Sequence, residues 1–296
     1  MFGIYRTTQR GLADQVTLGL QTNLDRLAAL QAEISSGRRI TKPSDDPAGV
    51  DSAMLLRSQS RAAVQAGRNA ADGVAWLGAA DTALSGIMSS LQHARDLTVQ
   101  GSSTGSNDPA SLSAIAAELD QIRTSVIGDA NTTYLGRPVF GGTTAGSTAY
   151  DATGTYVGDT GTVKRNVGDG VQIQVDSNGP QAFGTGAASV FAVLATISSD
   201  LKTNPAAVGG DLTALDAAMK AVSAAQSDVG ARYKRVDSAQ TKAGNLVLTL
   251  KGQLGDVENV DLPKTIVDMQ LAQNAYQAAL GASSKVITTS LMDFLR

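Results

Sequence analysis

With 296 residues, 42% hydrophobic content and a net charge of −3, the chain has enough apolar material for a core in one large domain or roughly two to three small ones. Interspersed charges of both signs leave no basic stripe to neutralise phosphates, so nucleic acid is not expected as a partner. The absence of cysteine excludes disulfides, thiolate nucleophiles and zinc knuckles, while an Ala-, Val- and Leu-rich apolar set with only 4% aromatics favours thin helix-on-helix contacts.

The N-terminal stretch MFGIYRTTQRGLADQ lacks the apolar run of a cleaved secretory signal. No later window approaches the roughly 20 apolar residues of a membrane span, so no membrane partner is expected and any export uses another route. From Ala13 to Ile34 the positions Ala13, Thr17, Leu20, Leu24, Leu27, Gln31 and Ile34 alternate spacings of four and three, the seam of a helix packed along a partner helix. Gly37 supplies a left-handed stop, and Arg38 and Arg39 place positive charge at the negative end of the helix dipole. Asp46 followed by Pro47 is a start signal: a carboxylate that accepts from free amides, then a residue whose fixed φ suits the first helical position.

The second helix runs from Pro47 toward Gln100 with a seam at Val74, Leu77, Leu84, Met88 and Leu91, broken by Asp81. After the loop GSSTGSNDP, Asp108 and Pro109 repeat the start chemistry. Leu112, Ile115, Leu119, Ile122 and Val126 then carry one apolar face to about Ile127. From 136 to 186 glycine and threonine rise and apolar residues alternate, as in VKRNVGDGVQIQV. Asp169–Gly170 between alternating runs predicts a hairpin with φ above zero at both turn positions. A short helix from Val190 to Leu201 leads out, ending before Asn204 and Pro205.

The longest pattern runs from Leu212 to Val257 at strict three-four spacing, interrupted only at Gln226 and Gln240, and predicts a helix roughly 70 Å long. Pro263, at the first helical position, opens a final helix with Ile266, Met269, Tyr276, Leu280, Ile287 and Phe294 on one seam. The fold class read from these patterns is mainly α: an elongated antiparallel helical bundle with coiled-coil terminal helices and a small β-rich insertion domain. Four parts are expected: the paired ends 1–34 and 262–296, a connector at 35–46, a long-helix bundle of 47–135 with 203–261, and an outer insertion at 136–202.

Catalytic chemistry is scarce. His93 is the only histidine, which excludes a multi-imidazole metal site, and it lies off the apolar stripe, where a solvated surface role is expected. GTGAAS at 184–189 lacks the third glycine and the preceding strand of a dinucleotide loop and reads as a flexible junction. Asp45 and Asp46 could be offered to a divalent cation, but a helix cap accounts for Asp46. NTT at 131–133 fits a glycosylation sequon that is common by chance. No catalytic residue, cofactor or metal is expected; an enzyme would need a deep polar cleft around His93.

The stretches ISSGRRITKPSDDPAGV and NAADGVAWLGAADTALSGI resemble the N-terminal region of bacterial flagellins and of the hook-associated proteins built on the same plan. TKPSDDP, YLGRPVFGGTTAG, the insertion from YDATGTYVGDTG to FGTGAASVFAVL, and the ending DLPKTIVDMQLAQNAYQAALGASSKVITTSLMDFL are most similar to the hook-filament junction branch (hook-associated protein 3). The final Arg296 and MFGIYRTTQ depart from that branch, and flagellin itself stays open as the alternative. The resemblance implies a secreted, extracellular component of the bacterial flagellum, exported by the type III route with the help of a chaperone. It further implies a homo-oligomeric ring between the hook-proximal junction protein and flagellin. A secreted helical adhesin or effector binding through the β-rich insertion is the alternative from another class.

In that reading the assembly-packing residues are Leu20, Leu24, Leu27, Ile34, Leu262, Ile266, Met269, Tyr276, Leu280, Ile287 and Phe294. A lone amphipathic helix of about 25 residues is marginal in water, so the ends depend on neighbouring copies for burial. Gly37, Arg38, Arg39, Asp45, Asp46 and Pro47 form the connector, with Arg38 or Arg39 paired to Asp45. The alternative there is a solvated loop whose charges touch nothing.

Overall fold

The computed structural model describes residues 9–103 and 108–294, with side chains at the C-terminal end described through 284. The elements are α1 (Gln9–Ser36), α2 (Pro47–Ser102), α3 (Pro109–Ala130), β1 (Thr133–Tyr134), β2 (Arg137–Pro138), β3 (Lys164–Gly168), β4 (Val171–Gln174), α4 (Gly179–Phe183), α5 (Val190–Thr203), α6 (Val208–Glu258) and α7 (Leu262–Phe294). The chain is mainly α, as its periodicity predicts, and its two small sheets are antiparallel hairpins. The stretch MFGIYRTT, the centre of the loop before Asp108, and Arg296 lie outside the described residues.

Two compact units result, one made of Met1–Arg61 with Leu248–Arg296 and the other of Ala62–Val247. In the second unit α2 and α6 run antiparallel: Gly67 lies opposite Ala243, Asp81 meets Gln226, and Arg95 pairs with Asp216 at 2.8 Å. α3 and α5 pack together, and Trp76, Leu77, Leu84, Ile87, Leu91, Leu119, Leu194, Ile197 and Leu201 are fully buried in the core. The start signal at Asp108 works as expected: it caps α3 by accepting from the Ser111 amide at 2.9 Å. Ser189, not singled out from the sequence, caps α5 by accepting from the Ala192 amide. GTGAAS is thus a 3-10 turn leading into a helix cap, built by local hydrogen bonds where flexibility was expected.

The insertion differs from expectation in its core. Phe140, Tyr150, Tyr156, Phe183 and Phe191 form one cluster with ring centroids 4.8–5.9 Å apart, so the few aromatics are concentrated to build a small globular centre. Asn131 holds it to α3: its Oδ1 accepts from the amides of Ala149 and Tyr150, and its Nδ2 donates to the Tyr150 carbonyl. That clamp occupies the sequon's asparagine. The β3–β4 hairpin turns at Asp169–Gly170 as predicted, but only Gly170 takes positive φ (70°). The mismatch with strand twist is absorbed by a register irregularity between Asn166 and Gly168. The hairpin is tied down by Asn69 to the Asn166 carbonyl, Arg165 to Asp72 at 2.6 Å, and Arg232 to the Asp176 carbonyl.

Candidate assembly surface

Within the first unit α1 and α7 pack against each other. They run antiparallel, because the end of α1 at Gly37 lies beside Val260, just before α7 begins. The pair buries little. No described side chain of α1 is buried, and in α7 only Thr265, Ala272 and Ser283 are. Both hydroxyls are satisfied inside their own helix, Thr265 on the Asp261 carbonyl and Ser283 on that of Ala279. The least exposed stripe of α7 therefore runs through small residues with Met269 and Tyr276 half-buried beside them.

Leu262, Ile266 and Leu280 stand outside that stripe and are exposed, as is Leu24 of α1; Leu20, Leu27 and Ile34 are half-buried. Ile287 and Phe294 fall in α7 beyond the described side chains. Three further exposed apolar residues were not singled out from the sequence: Leu18 at 68%, Val267, and Leu271 at 61%. At the helical period they lie on the sides of α1 and α7 turned away from the seam, where three-four counting along that seam does not reach. Together these residues leave apolar side chains exposed on more than one side of each helix, which the pair cannot cover itself.

The connector is built rather than loose. Gly37 takes φ 69° and its amide closes on Glu33, ending α1 in the left-handed conformation. Arg39 donates its amide to the Glu258 carbonyl at 2.7 Å, Val260 donates to the Gly37 carbonyl at 3.1 Å, and Arg38 bridges to Asn259. The Arg39 guanidinium donates to the Val257 carbonyl at 3.0 Å and pairs with Asp46 at 3.1 Å. The partner is thus Asp46 in place of the expected Asp45. Asp45 is turned inward on its own loop, its Oδ2 accepting from the Thr41 amide and hydroxyl and the Lys42 amide.

Asp46 Oδ1 caps α2 through the Gly49 amide at 2.9 Å, with Pro47 the first helical residue. Asp261 does the same for α7 through Lys264, which puts Pro263 second in the helix and not first as predicted. Arg57 closes the arrangement on Glu258 at 2.7 Å. His93, by contrast, sits on the surface against Glu118.

A Cβ at Gly37 would meet no atom within 4 Å, so the cost of replacing this glycine is purely that of the left-handed backbone. Gly37→Ala is expected to destabilise the connector by about 1–2 kcal/mol. Amide exchange at Arg39 and Val260 should accelerate accordingly, and unchanged protection at both would refute the αL stop.

Both connector carboxyls are held below their usual 3.8, Asp45 by the Lys42 and Thr41 amides, Asp46 first by the Gly49 amide and then by Arg39. A depressed folded value means that the stabilisation is complete above the ordinary carboxylate range and is lost as pH falls through the lower, folded value. The connector amides are therefore expected to keep constant protection from neutral pH down to about pH 4 and to lose it below. Loss that begins near pH 6 would show another group in control.

The sequence matches the bacterial flagellin N-terminal helical region over residues 9–145 and the bacterial flagellin C-terminal helical region over residues 212–295, and so includes α1, the connector and α7. The chain belongs to the bacterial flagellin family. It is similar to the flagellin of Bacillus subtilis (strain 168), 26% identical over 268 residues covering 86% of this chain and 88% of that one. It is also similar in fold to FlgL of Bacillus cereus, with a TM-score of 0.59 and 24% identity, covering 68% of this chain and 99% of the other. A third likeness is to the flagellar junction protein FlgL of Legionella pneumophila, with a TM-score of 0.57 and 14% identity over 71% and 100% of the two chains. This flagellin-family protein is a structural component of the bacterial flagellum.

Proposed function

We propose that this flagellin-family chain is the adaptor that joins hook to filament, assembled as a ring of identical copies through α1 and α7. The observation that carries the assembly is the apolar surface left bare on those two helices: among the described side chains Leu18, Leu24, Ile266, Leu271 and Leu280 are exposed, while only Thr265, Ala272 and Ser283 are buried. Neighbouring copies are the natural cover for such a face. The junction position is supported by the likeness in fold, since solved junction-protein chains superimpose over almost their full length. In this reading residues 1–34 and 262–296 form an inner layer, 35–46 the connector, 47–135 with 203–261 the bundle, and 136–202 the outer part.

The partners in this reading are the hook-proximal junction protein on one side, flagellin on the other, and a type III export chaperone before secretion. Cells lacking the gene should bear hooks without filaments and shed flagellin into the medium. Filament subunit is the second reading, favoured by the near full-length match to a flagellin. The two separate on the purified protein: a filament subunit grows long filaments alone, whereas the adaptor forms short oligomers at most.

A further inference from the structure

We propose that Asp176 is a proton-operated latch at the place where the insertion meets α6, firm when its carboxyl is neutral and loosened when it is charged. Three segments cross at this residue. The Val163 amide, just before β3, donates to the Asp176 Oδ1 at 2.7 Å, and the Val175 amide returns a bond to the Val163 carbonyl at 2.9 Å. Further along the same segment the amides of Ser177 and Gly179 donate to the carbonyls of Val139 and Phe140. From α6, Arg232 donates to the Asp176 carbonyl at 2.9 Å. A change at Asp176 therefore reaches the hairpin, the aromatic cluster and the long helix together.

The side chain is buried, with the residue 1% exposed, and it enters no ion pair among the described residues. Arg232 is the cation that faces it, but its guanidinium is spent on the Asp176 carbonyl and on the Asp228 carboxylate. From the insertion it faces Tyr156, whose hydroxyl donates to the Asp159 carbonyl. α2 approaches this segment at Gly73, beside Val175, and the neighbouring Asp72 is neutralised by Arg165. A buried carboxylate without a counter-ion is costly, and a proton removes the charge. Burial accordingly pushes the Asp176 carboxyl above its usual 3.8, outweighing the Val163 amide, which favours the charged form.

The direction is opposite to that at the connector. A raised folded value means that the stabilisation is complete below the ordinary carboxylate range and is lost as pH rises through the folded value. Other groups of the insertion leave this window clear. Asp151, held low by the Thr153 hydroxyl, and Asp159, held low by the Thr143 amide, stay charged above about pH 4. Burial pushes Tyr150 and Tyr156 upward, so both stay neutral. Asp129 and Asp211 are also pushed up by burial, but they lie beside Gly86 of α2 and in the first turn of α6. The insertion is thus held most firmly in mildly acidic surroundings, where the connector still holds.

Amide exchange at Val163 and Val175, corrected for the intrinsic rate, tests the latch on the full chain and on Asp176→Asn from about pH 4 to about pH 8. In the native chain protection should fall with rising pH, by about tenfold for each unit that separates the folded value from the ordinary one. Asp176→Asn keeps a side-chain carbonyl for the Val163 amide and should retain the acid-level protection throughout. Protection in the native chain that stays flat within about twofold, or a fall of equal size in Asp176→Asn, would overturn the latch. Should the variant not fold, the NMR shift of the Asp176 carboxyl carbon in the native chain decides: a titration midpoint above 3.8 supports the latch, and one at or below it refutes the latch.

Discussion

A chain carrying Ile266→Asp and Leu280→Asp should fold its central unit normally and fail to join the flagellum. Both side chains are exposed on α7, so the charge stays hydrated in the free protein and thermal unfolding of residues 62–247 should move by no more than about 2 °C. In an assembled layer each site loses apolar burial worth about 1.5–3 kcal/mol. Each must also strip water from a carboxylate with no designed partner, a larger cost that recurs in every copy. Circular dichroism of the purified variant and electron microscopy of complemented cells read the two halves of the prediction. Normal filaments on cells expressing the variant would show that this face is not the one that packs.

Trp76→Ala acts on the other unit, and there the effect is on folding. The chain's single tryptophan is 2% exposed. Tyr134 packs on it at a ring-centroid distance of 5.5 Å, and the Arg165 guanidinium lies 5.7 Å from its ring. Asp72 accepts from both Arg165 and Tyr134, so the indole is the apolar floor beneath a polar clamp that fastens both hairpins to α2. Removing it leaves a cavity and loosens that clamp, a loss of about 3–5 kcal/mol. For a unit of this size the unfolding midpoint should fall by about 6–20 °C. The indole N–H has no hydrogen-bond partner among the described residues, so Trp76→Phe gives up none of those and should lose much less. Equal losses for the two variants would contradict the account.

What the sequence made legible were features whose cause lies within a few residues. Asp46 before Pro47 and Asp108 before Pro109 start helices because a carboxylate and a proline each solve a local problem of the first turn. Gly37 stops one for an equally local reason. The three-four spacing of α2, α3 and α6 is likewise a property of one face of one helix.

The features it concealed depend on partners far away in the chain. Arg39 reaches Val257, 218 residues on, and nothing in SGRRITKPSDDP distinguishes Asp46 from Asp45 as its ion-pair partner. The β1–β2 hairpin turns at Leu135–Gly136 with Leu135 at φ 50°, a position where asparagine or glycine would have announced the turn. α4, at five residues, is too short for any periodicity to register. On the terminal helices the seam was visible, but which side would remain bare was not, since Thr265, Ala272 and Ser283 look unremarkable until α1 is placed against α7.

The two chain crossings at the base of the terminal helices have a mechanical consequence. Residues 37–39 and 257–260 lie side by side, joined by the Arg39 and Val260 amides and by the Arg39 guanidinium. A pull on one end helix alone would slide its strand along the other and load these bonds together, in shear, so that part of the load passes to the second strand. In the proposed assembly, where torque would pass from copy to copy, such cross-bonding would let the two strands share a load that falls on either of them.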